Sequence, residues 1–117
     1  MTDNIVQVKS KAFAVRIVKL YQHLTSSKKE YVLSKQLLRS GTSIGANIKE
    51  AIRGQSKADF RAKMNISLKE ASETEYWLEL LHETGYLTDK EFESIIPECI
   101  ELIKLLTSIV KSSKEGR

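Results

Sequence analysis

Apolar residues return every three or four positions along most of the 117-residue chain, the period of an amphipathic helix. The plainest run lies near the C-terminal end, where Phe92, Ile95, Cys99, Leu102, Leu106 and Ile109 are spaced 3, 4, 3, 4 and 3. Leu33, Leu37, Gly41, Ile44, Ile48 and Ile52 make a second stripe, and Phe60, Met64, Leu68, Ala71 and Leu78 a third. Near the start, Phe13, Ala14, Ile17, Val18, Leu20, Tyr21 and Leu24 cover about 160° of a wheel at about 100° per residue, wider than one bundle face requires. Ile66, Trp77 and Leu80 also sit well off the apolar side of their segment. Surplus apolar surface on two helices of a small domain predicts a second buried interface, hence an oligomer.

Three capping boxes punctuate these stripes, each a Ser or Thr followed three residues later by an acid: Ser27 with Glu30, Ser56 with Asp59 and Thr88 with Glu91. Gly54 and Gly85 lie where the preceding helices should stop, positions that favour a residue tolerant of the left-handed conformation. The expected elements are four helices near 4–25, 28–54, 57–84 and 89–112, joined by turns short enough to force antiparallel neighbours. The fold class is therefore all-α, an antiparallel up-down-up-down four-helix bundle spanning 1–117 as one domain, with Pro97 expected to kink the last helix.

The second helix departs from a simple amphipathic pattern in the stretch SGTSIGANIKE. Gly41 occupies a core-facing position without a side chain, at a cost of about 1 kcal/mol relative to alanine, which predicts close approach of a neighbouring helix. Beside it Gln36, Ser40, Ser43, Asn47, Glu50 and Gly54 form a row of small or polar residues, with Lys35, Arg39, Lys49 and Arg53 on the opposite side. The row reads either as tolerated surface or as a buried polar seam, with Trp77 on the next helix, that fixes helix register or a subunit contact.

The same stretch carries a resemblance. LSKQLLRSGTSIGANIKEA is similar to the signature of bacterial four-helix-bundle proteins encoded in intervening sequences of 23S ribosomal RNA genes, here as Gln36, Leu37, Arg39, Ser40, Ser43, Ile44, Asn47, Ile48, Glu50 and Ala51. SKADFRAKMNISLKEASETEYWLELL extends the likeness over the third helix, with Gly45 standing where many relatives have proline and Ala51 where many have glycine. The resemblance implies a ring-shaped homopentamer. It extends to the accessory variability proteins of diversity-generating retroelements, which implies RNA or DNA, and a reverse transcriptase or other nucleic-acid enzyme, as partners.

Charge adds a direction to the bundle. The net +4 conceals segments of +3 over residues 1–27, +7 over 28–69 (ten basic, three acidic), −9 over 70–101 (one basic, ten acidic) and +3 over 102–117. Antiparallel packing gathers the cations at one end, with Lys49, Arg53, Lys57, Arg61, Lys63 and Lys111 as the candidate phosphate-binding set, and the acids of the last turn at the other. A ring multiplies that basic end into a sequence-independent, salt-sensitive nucleic-acid surface. The alternative is ordinary solubility charge on a protein-interaction scaffold or adaptor.

Enzyme chemistry finds little purchase. Glu79 and His82 have the Glu-x-x-His spacing of di-iron bundles, but the chain's other histidine, His23, has Leu20 at the matching position, so neither metal nor cofactor is expected and Glu79–His82 reads as an ordinary helical pair. Glu75 faces the apolar side and pairs with Arg39 or snorkels at its edge. Cys99 lies on the last apolar seam with no nearby histidine, a core residue rather than a nucleophile. Charges interrupt every apolar run and the N-terminal residues lack a signal-peptide core, so the expected setting is the cytoplasm, without a membrane span.

Overall fold

A computed structural model describes residues 2–114, with side chains from Ile5 onward. Its elements are α1 (Thr2–Ser26), α2 (Leu33–Ile52), α3 (Lys57–Glu83) and α4 (Asp89–Lys114). Each helix packs on its neighbours in sequence, and α1 and α4 close the square. Side-chain pairs run in opposite numerical order across every interface, as antiparallel helices require. Ile17 meets Gly41 and Ser10 meets Gly45 between α1 and α2; Ser40 meets Thr74 and Glu50 meets Lys63 between α2 and α3; Arg16 meets Ser94 and Lys9 meets Glu101 between α1 and α4. The result is the expected up-down-up-down bundle, 46 × 21 × 19 Å.

The four apolar stripes meet in one core, with Phe13, Ile17, Leu37, Ile44, Met64, Leu78, Leu102 and Leu106 among its buried members. Gly41 serves as the spacing argument predicts. A Cβ there would lie 2.8 Å from Ile17 Cγ1, so the missing side chain lets α1 and α2 approach.

The turns show where local sequence rules held. At Thr88 both legs of the capping box form: Glu91 N–H donates to Thr88 Oγ1 (3.1 Å) and Thr88 N–H to Glu91 Oε1 (2.9 Å). At Ser56 the hydroxyl accepts from Asp59 N–H at 3.0 Å. Gly85 adopts φ +88 and completes a Schellman motif, with Gly85 N–H donating to the His82 carbonyl and Tyr86 N–H to that of Leu81. Gly54, by contrast, has no left-handed φ; α2 ends at Ile52 with Gly54 N–H donating to the Ala51 carbonyl.

The Ser27–Glu30 box does not form, and α2 starts five residues later than expected. Ser27 N–H still donates to the His23 carbonyl at the end of α1, and Lys29 then reverses the chain at φ +57. Glu30 folds under the start of α2 instead. Its carboxylate accepts from the N–H groups of Val32, Leu33 and Ser34 at 3.2, 3.0 and 2.6 Å, while Ser34 Oγ donates back to the Glu30 carbonyl at 2.8 Å. One buried carboxylate thus satisfies amides that a Ser cap serves singly.

Along α4 the helix runs unbroken through Pro97. Pro97 and Glu93, whose carbonyl proline leaves without its helical N–H, both lie on the exposed side of the helix.

Candidate nucleic-acid interface

The basic residues gather where the C-terminal halves of α2 and α4 meet the first turns of α3. Lys49, Arg53, Lys57, Arg61 and Lys111 are exposed there and have no acid within ion-pair distance among the described residues. Lys63 differs: it is half-buried and its Nζ lies 2.9 Å from Glu50 Oε1, so the polar row and the basic set neutralise each other at that point. Lys9 is likewise paired, with Glu101 at 3.2 Å.

Helix dipoles separate these cations into two kinds. Lys49 and Lys111 lie in the last turns of α2 and α4, where positive charge is favourable for folding. Lys57 lies in the first turn of α3, where the same charge opposes the dipole and costs a few tenths to about 1 kcal/mol. A cation held at a helix start contributes nothing to that helix.

Lys11, which antiparallel topology also brings to the basic end, faces Lys49 across the α1–α2 interface. Lys11 on α1 and Lys49 on α2 flank a depression of about 220 Å³ lined also by Gln7, Ser10, Thr42 and Gly45. The bare backbone at Gly45 leaves it open, since a Cβ there would reach 3.3 Å from Ser10 Oγ.

The small polar row divides between interior and rim. Ser40 is fully buried, and its Oγ lies 2.9 Å from Thr74 Oγ1 across the α2–α3 interface. Ser43 and Asn47 are half-buried and turn back on their own helix: Ser43 Oγ donates to the Arg39 carbonyl (2.6 Å) and Asn47 Nδ2 to the Ser43 carbonyl (2.8 Å). Gln36 and Glu50 are exposed. Two buried hydroxyls on α3 face this row, Thr74 and Ser67, whose Oγ donates to the Ile44 carbonyl at 2.8 Å. Their signal was present, since Phe60, Met64, Ser67, Ala71, Thr74, Leu78 and Leu81 step by 4, 3, 4, 3, 4 and 3.

At the opposite end Glu79, Glu83, Asp89 and Glu93 are exposed, with Glu75 and Glu91 half-buried. Arg39 does not reach Glu75; it pairs with Glu70 and Glu73, and the hydrogen bond to Glu73 holds its guanidinium more firmly protonated than usual. Glu73 also accepts from Trp77 Nε1 at 3.1 Å, and the half-buried Trp77 ring meets Tyr76 edge-on at 5.1 Å. His82 pairs with Asp89 (2.7 Å) and stacks on Phe92 at 4.2 Å, in place of the expected contact with Glu79. His23 Nε2 lies 3.5 Å from Glu91. Glu91 is held below the usual carboxylate range, by the Thr88 backbone N–H first. Cys99 is buried, its thiol donating to the Ala71 carbonyl at 3.4 Å, and burial pushes its pKa up to about 12.

Among the described residues, no three His, Cys, Asp or Glu side chains cluster to hold a metal, and no helix is long and apolar enough to cross a membrane. No curated protein matches the chain significantly. A solved structure does: the chain is 61% identical to a protein of unknown function from the S23 ribosomal protein family of Bacteroides thetaiotaomicron, covering 95% of this chain and 99% of that one with a TM-score of 0.93. Residues 2–108 match the family described as 23S rRNA-intervening sequence protein. With that match over nearly the whole length, and the polar row and four-helix packing in place, the chain belongs to the 23S rRNA-intervening sequence protein family.

Proposed function

We propose that this protein is a non-enzymatic oligomer that binds RNA or DNA without sequence preference through its basic end. The observation that carries the reading is the exposed set Lys49, Arg53, Lys57, Arg61 and Lys111, without an ion-pair partner among the described residues, with Lys57 placed where its charge opposes the helix dipole. Phosphate is the counter-charge that such a surface fits, and Lys11 and Lys49 across the Gly45 depression offer one phosphate-sized seat within it. The thiol is buried, and His82 is hydrogen-bonded to Asp89. The protein partner consistent with this reading is a nucleic-acid enzyme, such as a reverse transcriptase.

Self-association rests on α1. Ile5, Val8, Val15 and Val18 are 45, 69, 46 and 38% exposed on its outward side, a row that a second copy can cover. A pentameric ring of parallel protomers sets five basic ends side by side.

Retention of a 30-nucleotide RNA on filters tests the reading. Binding is expected at low salt and falls steeply with salt, with log K declining by about 0.7 to 0.9 per phosphate contact for each unit of log salt. Arg53→Glu, Lys57→Glu and Arg61→Glu together abolish it. Absence of retention, or retention that survives the triple reversal, overturns the proposal; a protein partner captured after nuclease treatment with no RNA bound favours a scaffold instead. Val8→Lys with Val15→Lys yields monomers in sedimentation if α1 forms the subunit contact.

A further inference from the structure

We propose a second site, a groove between α1 and α4 that takes a small amphipathic anion: a carboxylate or phosphate-ester head on a short apolar chain. The groove has a volume of about 600 Å³ and lies toward the acidic end, away from the nucleic-acid surface proposed above. Leu20 and the buried Ile95 give it an apolar floor, and Lys19, Lys90, Thr88 and Ser94 supply its polar margin. At one end Arg16 closes the space between the helices, bonding the Ser94 carbonyl at 3.1 Å, Ser94 Oγ at 2.9 Å and the Glu98 carboxylate.

Hydrogen-bond accounting fixes the sign of the occupant. Ser94 Oγ already accepts from Arg16 and Thr88 Oγ1 from Glu91 N–H, which leaves both hydroxyl protons to donate outward. Lys19 and Lys90 are exposed and have no acid within ion-pair distance among the described residues. The one carboxylate in the lining, Glu91, is engaged by Thr88 N–H and lies beside His23. The capacity left over is that of donors and cations, and an acceptor-rich anion matches it. Lys90 adds a second argument. It is the only lysine or arginine among the 32 residues at positions 70–101, against ten acids, it stands in the first turn of α4 where positive charge opposes the dipole, and its neighbours are engaged elsewhere, Asp89 with His82 and Glu91 with the Thr88 N–H. The size falls within the roughly 300–1,000 Å³ of small-molecule sites with apolar walls and few polar groups.

Calorimetric titration of the full chain with sodium octanoate and with octyl phosphate tests the site, with inorganic phosphate and octyl glucoside separating head from chain. One or both amphipathic anions are expected to saturate at one per protomer and to bind more tightly than either comparator. Lys19→Glu with Lys90→Glu is expected to weaken that binding by about tenfold or more, the scale of losing a charge-assisted contact. Ser94→Trp, at an exposed edge position, blocks the groove, and Lys35→Glu with Lys69→Glu, exposed on other helices, leaves binding unchanged; circular dichroism melts confirm each variant folded. The proposal is overturned if neither anion saturates at about 10 mM, a concentration well above millimolar affinity. It is equally overturned if a comparator binds as tightly, or if the lysine reversals leave affinity intact.

Discussion

Ile17 closes over Gly41 so tightly that its Cγ1 and Cγ2 lie 2.8 and 2.9 Å from where a Cβ would stand. Both carbons belong to a fully buried, β-branched side chain, which cannot swing away as a long flexible end would. Gly41→Ala gains about 1 kcal/mol of helix propensity but incurs overpacking of about 1–3 kcal/mol. A net loss of about 1 kcal/mol is expected in urea melts. Adding Ile17→Ala removes the clashing carbons, so the two substitutions couple: the double variant is more stable than the sum of the single effects.

Glu30 makes the start of α2 dependent on pH. Burial raises its pKa, but donation from the amides of Leu33, Ser34 and Val32 outweighs that, and the net shift is downward. A carboxyl with a depressed folded pKa stabilises the protein above its unfolded value and loses that contribution as pH falls through the folded one. Stability therefore declines between about pH 5 and the acid range below 4. Glu30→Ala removes this part of the decline and costs about 1–2 kcal/mol at neutral pH, the value of a strong helix cap.

The Ser40–Thr74 contact lies within one protomer, so losing it should not change the assembly. Thr74 Oγ1 also lies 2.7 Å from the Glu70 carbonyl, and one hydroxyl proton serves one acceptor at a time. Thr74 thus keeps a partner in Ser40→Ala, and the expected cost is about 1 kcal/mol. Sedimentation should give the parent oligomeric state; a shift in mass would place Ser40 at a subunit contact after all.

Cys99 reports on unfolding. With its pKa raised to about 12, by burial first and then by the charges of Glu75 and Glu79, the native thiol is protonated and covered at pH 8. Alkylation by iodoacetamide should be negligible in buffer and rise along the same urea transition seen by circular dichroism.

Much of this was legible in the chain, because the rules involved are local. The 3-and-4 stripes, the Thr88–Glu91 box and Gly85 each depend on residues within a turn or two of one another, and each forms as read. Glu30 departs from the capping box because a carboxylate capping amides two to four residues ahead follows no short motif; the chain reversal at Lys29 brings it there. Ser67 and Thr74 were passed over because their polarity hid the stripe that their spacing completes. Among the candidate site residues, the pattern groups the cations by end of the bundle but does not tell Lys63, tied to Glu50, from Lys57, which has no acid within ion-pair distance among the described residues. That distinction depends on which rotamers meet across α2 and α3.

If the chain assembles as proposed, the segregation of charge along a rod 46 Å long makes salt an arbiter between two arrangements of its copies. Unlike poles draw copies together end to end, whereas a parallel ring forces like poles to stand abreast and repel. Raising ionic strength screens both effects, so it weakens stacking and relieves the ring. A polyanion lying across the basic poles does what salt does for the ring, selectively and at one face. On the proposed reading, nucleic acid would then act as the counterion of the ring as well as its ligand.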